Sequence, residues 1–389
     1  MLRFIYLLRN LTRNPLRSLL TVAAVALPIT IFVLTTAVID GLERFLDNSA
    51  RQLRLAVTQK TSIINPLPQG YRGKIESLDP GQEHILSVCC FRYIGGKIEN
   101  DPRPLSTVAG DPDTFPSAFP EYLRDPNELA AWQRDRRAIV VGRGTAQQFG
   151  WQVGDRITIR PSVPPYTPLE FNIVSIPLDA ADPVTNWCRR DYLEEEIKRT
   201  GWLEGLVSFI FVKCATPADI EHYRHAIDNL FANSPDETLT QDEKTFMSQF
   251  ITQQFDLPRN LTILASLTVF VAVLAAFNTM SMNFRDRRHE FATLRAIGFG
   301  VRSVLTIIQS ESLFVCVVGG VLGAAGPYIA FTHTPLRGLT VPLIQTLEVA
   351  PVVCVQAVGI AGLIGLLAAE WPSWLAARLR VAEAFRMLE

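Results

Sequence analysis

The chain has 389 residues, 48% hydrophobic and 19% charged, with a formal net charge of -1 at pH 7. So apolar an average points to a chain of mixed parts, long enough for two or three domains. A net charge this close to zero excludes the global basic field that nucleic-acid binding needs, so arginine clusters carry meaning only locally.

The six cysteines, Cys89, Cys90, Cys188, Cys214, Cys316 and Cys354, make no C-x-x-C pair and no zinc-ribbon spacing. Metal and redox roles are therefore unsupported, and no cofactor is expected. Cys316 and Cys354 lie in apolar runs, where a thiol acts as a small hydrophobe. The other four can form a disulfide only if their region faces an oxidising compartment.

In residues 1–18, Phe4, Leu8 and Leu11 share one helical face with Arg3, Arg9 and Arg13 elsewhere. That pattern predicts an interfacial amphipathic helix ahead of the break at Pro15. A charge-free run follows at 19–39. A bilayer core about 30 Å thick needs roughly 20 apolar helical residues, which this run supplies. It exceeds the about 7 to 15 residues of a signal-peptide core and lacks a small-residue exit, so it is expected to be retained.

Residues 40–260 shift to charged, proline-rich sequence with short strand-like runs, as an α/β domain would. Ala138–Val141 reads as a strand and Gly142–Phe149 as a helix closed by Gly150. After a turn at Val153-Gly154-Asp155, Ile157 and Ile159 alternate along a strand, with Phe171–Ile176 as its partner. Val207–Lys213 is again strand-like, and Pro217–Phe231 is helical through Ile220, Tyr223, Ile227 and Leu230, opened by Thr216 or Pro217.

Several groupings here resemble chemistry. His222 and His225 beside Glu221 have no third metal ligand at a recognisable spacing, Glu194-Glu195-Glu196 reads as solvated surface, and Asp111-Pro112-Asp113 reads as a turn. Gly95-Gly96-Lys97 lacks the rest of a phosphate cradle, and no G-x-S-x-G, H-E-x-x-H or G-x-x-x-x-G-K-[ST] occurs in the sequence. No catalytic site is expected.

Three further apolar runs, 261–282, 312–331 and 349–369, complete a set of four predicted transmembrane helices. The last two carry Gly319, Gly320, Gly323, Gly326, Gly359, Gly362 and Gly365, small residues that let helices approach closely in lipid. Orientation follows from basic residues near the span ends. Arg3, Arg9, Arg13 and Arg17 precede the first span; Arg285, Arg287, Arg288, Arg295 and Arg302 lie between the second and third; Arg378, Arg380 and Arg386 follow the fourth. The third-to-fourth connection has only Arg337. The positive-inside rule therefore puts both termini, the segment 283–303 and the tail 370–389 in the cytoplasm, and 40–260 outside.

The segment Arg285–Gly298 is helical in period. Phe291, Leu294 and Ile297 make an apolar stripe, and Gly298 can end the helix. On residue chemistry alone it is either a basic anchor at anionic lipid or a docking knob for a partner. Glu311, at the head of the third span, can snorkel, pair with Arg302 or cap a helix.

Glu290-Phe291-Ala292-Thr293-Leu294-Arg295-Ala296-Ile297-Gly298 resembles the E-[FIY]-[AG]-x-[LI]-R-A-[ILMV]-G coupling segment of MacB/FtsX/LolC-type ABC transporter permeases. The stretch Arg9–Thr21, Glu311, and the exit Pro372–Arg386 with Ala376, Ala377, Arg378, Glu383 and Ala384 agree in order. Val381 departs from the proline common in the family. The outside domain resembles the family's periplasmic core domain at Ala138–Gly154 and Phe171–Ile176.

The resemblance implies an α-helical membrane protein of four transmembrane helices with a large α/β extracytoplasmic domain between helices 1 and 2, in the bacterial inner membrane. It implies a cytoplasmic ABC ATPase as a separate subunit, engaged through Glu290, Phe291, Leu294, Arg295, Ala296 and Gly298, and a second permease subunit, the same or related. A periplasmic adaptor or lipoprotein and membrane lipid are further partners, with no nucleic acid. The implied function is export or extraction of a lipid, lipoprotein or amphiphile by movement of the outside domain. The alternative is a non-transporting mechanical regulator of a cell-wall hydrolase or signalling partner.

Overall fold

The computed structural model describes residues 15–99, 101, 103–164, 166–178, 182, 184–201, 204–255, 257–333 and 348–377. The expected amphipathic helix at Phe4, Leu8 and Leu11, the Arg337 connection and the exit residues from Arg378 onward lie outside them. The chain divides into two compact units, one of them Leu42–Phe255 and the other built on four long helices.

The first helix, α1 (Pro15–Ala50), has 36 residues and runs past the apolar stretch at 19–39. Beyond Ile39 it becomes amphipathic: Leu42, Phe45 and Ser49 are buried while Glu43, Arg44 and Asp47 are exposed. A sequence reading that stops the helix where charge begins misses this continuation, because a lone Gly41 does not terminate it. Pro28 sits inside the helix. Hydroxyls of Thr30, Thr35 and Thr36 donate back to the carbonyls of Ala26, Ile31 and Phe32, as hydroxyls do where no water is at hand.

In chain order the α/β unit then comprises β1 (Arg54–Gln59), β2 (Leu67–Pro68), α2 (Tyr71–Glu76), β3 (Ile85–Tyr93), β4 (Thr107–Gly110), α3 (Phe115–Ala118), a 3-10 turn at Pro120–Tyr122 and α4 (Pro126–Arg134). There follow β5 (Ala138–Val140), α5 (Arg143–Phe149), β6 (Arg156–Ile159), β7 (Leu169–Ser175), β8 (Asn186–Arg189) and α6 (Arg190–Thr200). The unit closes with β9 (Leu206–Val207), β10 (Phe209–Cys214), α7 (Pro217–Phe231), β11 (Thr238–Asp242) and α8 (Glu243–Phe255).

Nine strands form one mixed sheet in the order β11-β1-β10-β3-β4-β8-β5-β7-β6, and β2 pairs with β9 separately. The expected strand pair at 156–160 and 171–176 is the antiparallel β6–β7 ladder at the sheet edge. Alternation sorts side chains between the two faces of the sheet. In β1, Leu55 and Val57 face the core under α7, while Ala56 joins an aromatic core of Phe91, Phe115, Phe119, Trp132, Trp187 and Phe211. Both faces are therefore covered, and the central strands read as almost continuous apolar runs.

Local signals hold where they are chemically explicit. Thr216 caps α7 in a reciprocal box with Asp219, and Gly150 closes α5 at φ +72°. The four outside cysteines are free and buried; burial pushes the Cys89 thiol up to about 12. The triplet Asp111-Pro112-Asp113 is more than a turn. Asp111 is buried, accepts from the Cys90 amide at 3.0 Å and from Arg72 at 2.9 Å, and is gripped by Arg190.

The remaining helices are α9 (Leu257–Asp286), α10 (Arg288–Ala296), α11 (Val301–His333) and α12 (Pro351–Ala377). By length and composition α1, α9, α11 and α12 can each cross a membrane. Glycine sets how closely they pack. A Cβ on Gly323 of α11 would lie 2.5 Å from the Ala26 carbonyl oxygen of α1, and the Thr30 hydroxyl also reaches the Gly323 carbonyl at 3.0 Å. On the other side a Cβ on Gly320 would meet Ala361, and Ser312 donates to the Gly365 carbonyl at 2.7 Å, tying α11 to α12. Small residues and hydroxyls replace the hydrophobic drive that lipid removes.

Gly323→Ala is expected to destabilise the detergent-solubilised protein by about 1–3 kcal/mol, since two backbones must separate. Gly326→Ala, where a Cβ meets nothing within 4 Å, is expected to be neutral or better in a thermal melt. Equal melting temperatures for the two variants would contradict this packing.

Candidate functional site

The segment singled out by sequence is a distinct short helix. Helix α9 stops at Asp286, Arg287 leaves helical geometry at φ −104°, ψ 14°, and α10 begins at Arg288. At its other end the Phe299 amide donates to the Leu294 carbonyl at 3.0 Å and the Gly298 amide to the Arg295 carbonyl at 3.1 Å, with Gly298 at φ +103°. This is the Schellman closure, and its positive φ is a conformation that a residue with a Cβ disfavours.

One face of α10 is held inward. Phe291 and Ala292 are 2% exposed, and Phe291 stacks on Phe284 of α9 with centroids 5.9 Å apart. Val304 and Ile308 of α11 and Ala369 and Ala376 of α12 complete that core, with Leu294 partly buried against it. The opposite face shows His289, Thr293, Ala296 and Ile297. Ile297 is 72% exposed and Phe299 48% exposed, so Ile297 does not continue the Phe291–Leu294 stripe. Ile297 keeps helical geometry and its amide donates to the Thr293 carbonyl at 3.0 Å, but at about 100° per residue it stands roughly 120° around the helix from Phe291 and so faces outward.

An ion network beneath α10 fixes its angle. Arg287 Nη1 donates to Glu311 Oε2 at 2.6 Å and Arg287 Nε to Glu290 Oε2 at 2.9 Å, while Asn283 donates to Glu311 Oε1 at 3.0 Å. The guanidinium also lies 5.1 Å from the Phe291 ring centroid. The side chains of Arg287 and Glu311 are 11% and 9% exposed. Of the three roles expected for Glu311, the pairing partner is therefore Arg287 and not Arg302, which is exposed. A lone acid at the head of an apolar span signals that a cation must meet it. Sequence cannot choose among Arg285, Arg287, Arg288 and Arg302, because the choice depends on how α9 is rotated against α11.

Of the six residues expected to engage a partner, Phe291 and Leu294 serve the inward packing. Glu290 belongs to the ion network, Arg295 is half-buried, and Ala296 and Gly298 are exposed. Elsewhere, His225 Nε2 lies 3.3 Å from Glu221 on an exposed face, and among the described residues no group of three or more His, Cys, Asp or Glu is placed to hold a metal.

Removing one partner of a buried ion pair strands the other, at a cost of about 3–5 kcal/mol, whereas an apolar pair is often tolerated. Glu311→Ala is therefore expected to raise hydrogen exchange across 288–296 while the middle of α11 stays protected, and Arg287→Met with Glu311→Leu to restore much of the protection. Unchanged exchange in Glu311→Ala would show that the network does not hold α10.

Comparison with known proteins fits this arrangement. Residues 18–230 match the MacB-like periplasmic core domain and residues 262–381 the FtsX-like permease C-terminal domain. An uncharacterized ABC transporter permease protein of Mycobacterium tuberculosis is 26% identical over 199 residues, covering 50% of this chain and 22% of that protein. An uncharacterized ABC transporter permease of Methanocaldococcus jannaschii is 26% identical over 233 residues, covering 54% of this chain and 53% of its own. The macrolide export ATP-binding/permease protein MacB of Salmonella paratyphi A is 26% identical over 154 residues, covering 37% of this chain and 22% of its own. This chain thus spans between about a fifth and a half of the length of these relatives. The extracellular domain of the noncanonic ABC-type transporter YknZ from Gram-positive bacteria aligns with a TM-score of 0.33 at 8% identity, over 48% of this chain and 99% of that structure, a likeness too slight to carry an argument. With one family description covering more than half of the chain and a second covering the last three spans, this multi-pass membrane protein belongs to the MacB/FtsX-type ABC transporter permeases.

Proposed function

We propose that this chain is the permease subunit of a transporter in a bacterial cytoplasmic membrane, and that a separate ATPase subunit docks on the exposed face of α10. The observation that carries the proposal is the form of α10 itself: a short helix packed on the ends of three long helices, with apolar Ile297 and Phe299 turned outward. Exposed apolar residues on a rigidly held element suit a protein partner. The clustering of Arg285, Arg287, Arg288, Arg295 and Arg302 favours a cytoplasmic position for this face, with both termini on the same side.

ATP hydrolysis then moves the α/β domain, and the cargo is a lipid, a lipoprotein or another amphiphile. Two observations favour that class over a polar solute passing between the helices. The helices bury Val, Ala, Ile, Met and Cys with a few Thr and Ser among them, and Glu311, the one acid of α11, is paired with Arg287 and Asn283. Among the described residues, no charged side chain is buried along the middle of these helices, where a path for a polar solute would place one. A second permease subunit, identical or related, completes the assembly, and a periplasmic adaptor or lipoprotein acts at the outer domain.

Replacing Glu290 and Arg295 together by alanine is expected to cut co-purification of the ATPase subunit by about tenfold or more, equivalent to about 1.4 kcal/mol of binding free energy, while membrane insertion stays normal. Ile297→Asp is expected to do the same without affecting thermal stability. Undiminished recovery of the ATPase in both variants would refute docking at α10.

A further inference from the structure

Arg54 and Glu243 stand 189 residues apart, yet they form the most completely buried ion pair of the α/β unit among the described residues. Arg54 Nε donates to Glu243 Oε2 at 2.6 Å and Nη2 to Glu243 Oε1 at 3.0 Å, a two-pronged contact. Nη1 donates to Glu121 Oε1 at 2.7 Å and to the Ala118 carbonyl at 3.0 Å, and the guanidinium carbon lies 3.9 Å over the Phe119 ring. The side chains of Arg54, Glu121 and Glu243 are 1%, 6% and 5% exposed.

The places of these residues in the chain give the cluster its meaning. Arg54 is the first residue of β1, four positions after α1 ends at Ala50, and Glu243 is the first residue of α8, after which α9 begins at Leu257. The chain arriving from the first transmembrane helix and the chain departing for the second therefore meet at one guanidinium. Two further ties repeat the connection. β1 pairs with β11, which runs directly into α8, and Lys244 Nζ of α8 lies 2.6 Å from Asp47 Oδ1 of α1. Glu121, reached by Nη1, sits in the 3-10 turn against the aromatic core, so the same cation also grips the body of the domain.

Stability alone does not explain this choice of residues. Apolar side chains of similar volume are often as stabilising as a buried ion pair, and Glu121 Oε2 is buried without a hydrogen-bond partner among the described residues. What the pair supplies is direction. A planar guanidinium facing both oxygens of one carboxylate fixes angle as well as distance, which an ammonium cannot do. Burial pushes the Glu243 carboxyl up and disfavours charge on Arg54, but the two carboxylates more than offset this and hold the guanidinium protonated.

We propose that Arg54 is a positioning residue that locks the arriving and departing chains to each other and to the aromatic core, so that a displacement of the two helices turns the α/β domain as one body. This rests on the reading above that ATP hydrolysis moves that domain. Rotation of α8 against β1 would have to break two charge-assisted bonds in a dry core, so the joint yields last.

The test uses the full chain with its ATPase subunit in lipid nanodiscs, comparing hydrogen exchange of the α/β domain in the ATP-bound and nucleotide-free states. Arg54→Lys keeps the charge but loses the fork. Arg54→Met with Glu121→Gln and Glu243→Leu keeps the packing in case the lysine variant does not fold. Either variant, once shown to melt like the parent and to recover and stimulate the ATPase equally, is expected to lose most of the nucleotide-dependent exchange difference beyond α8, at β3, β4 and β10. A folded variant that keeps the full difference overturns the joint alone. A parent complex with no nucleotide-dependent difference overturns both the joint and the domain movement on which it rests.

Discussion

Arg287 holds the membrane unit's most consequential contact. It stands where α9 ends and α10 begins, reaches Glu311 on α11 and Glu290 on α10, and lies against the face of Phe291. A cation at this depth needs an acid, and an acid at the head of an apolar helix needs a cation, so each makes the other tolerable. Because the contact joins the junction of α9 and α10 to α11, satisfying the charges also fixes the direction in which α10 leaves the bundle. The Phe284–Phe291 stack and the Gly298 closure complete the packing and the end of that helix.

The two units solve burial differently. In the helical unit, hydrophobic side chains gain nothing from one another that lipid does not also offer, so close packing falls to Gly320 and Gly323, to Ala361, and to the hydroxyls of Thr30 and Ser312. In the α/β unit, water restores the usual drive, and a nine-stranded sheet is covered on both faces, one by an aromatic cluster around Phe91 and the other by α7 at one end and by α5 and α6 at the other. Two buried charge clusters hold this second core together: Asp111 with Arg72 and Arg190, and Arg54 with Glu121 and Glu243.

Much of this was readable from sequence wherever the signal is local. Four charge-free runs gave the membrane helices, Thr216 and Gly150 gave helix ends, alternating Ile157 and Ile159 gave a strand, and the Glu290–Gly298 motif gave the candidate site and the family. What escaped is contact between residues distant along the chain. The partner of Glu311 depends on helix rotation, Asp111 reads as a turn residue until β3 and α6 close over it, and no pattern links Arg54 to Glu243. The outward position of Ile297 has a smaller cause: a stripe spaced strictly by three drifts around a helix of about 3.6 residues per turn, and by its third residue it has left the buried face.

Docking of an ATPase on α10 is the proposal on which the functional account turns, and contact is tested most directly by placing a photoreactive side chain at Ile297. In membranes containing the full chain and its ATPase subunit, illumination is expected to give an adduct between the two proteins, weaker when the same group stands at the buried Phe291 position. Adducts with lipid alone from Ile297, with the ATPase present and active, would identify α10 as a membrane anchor and contradict the account.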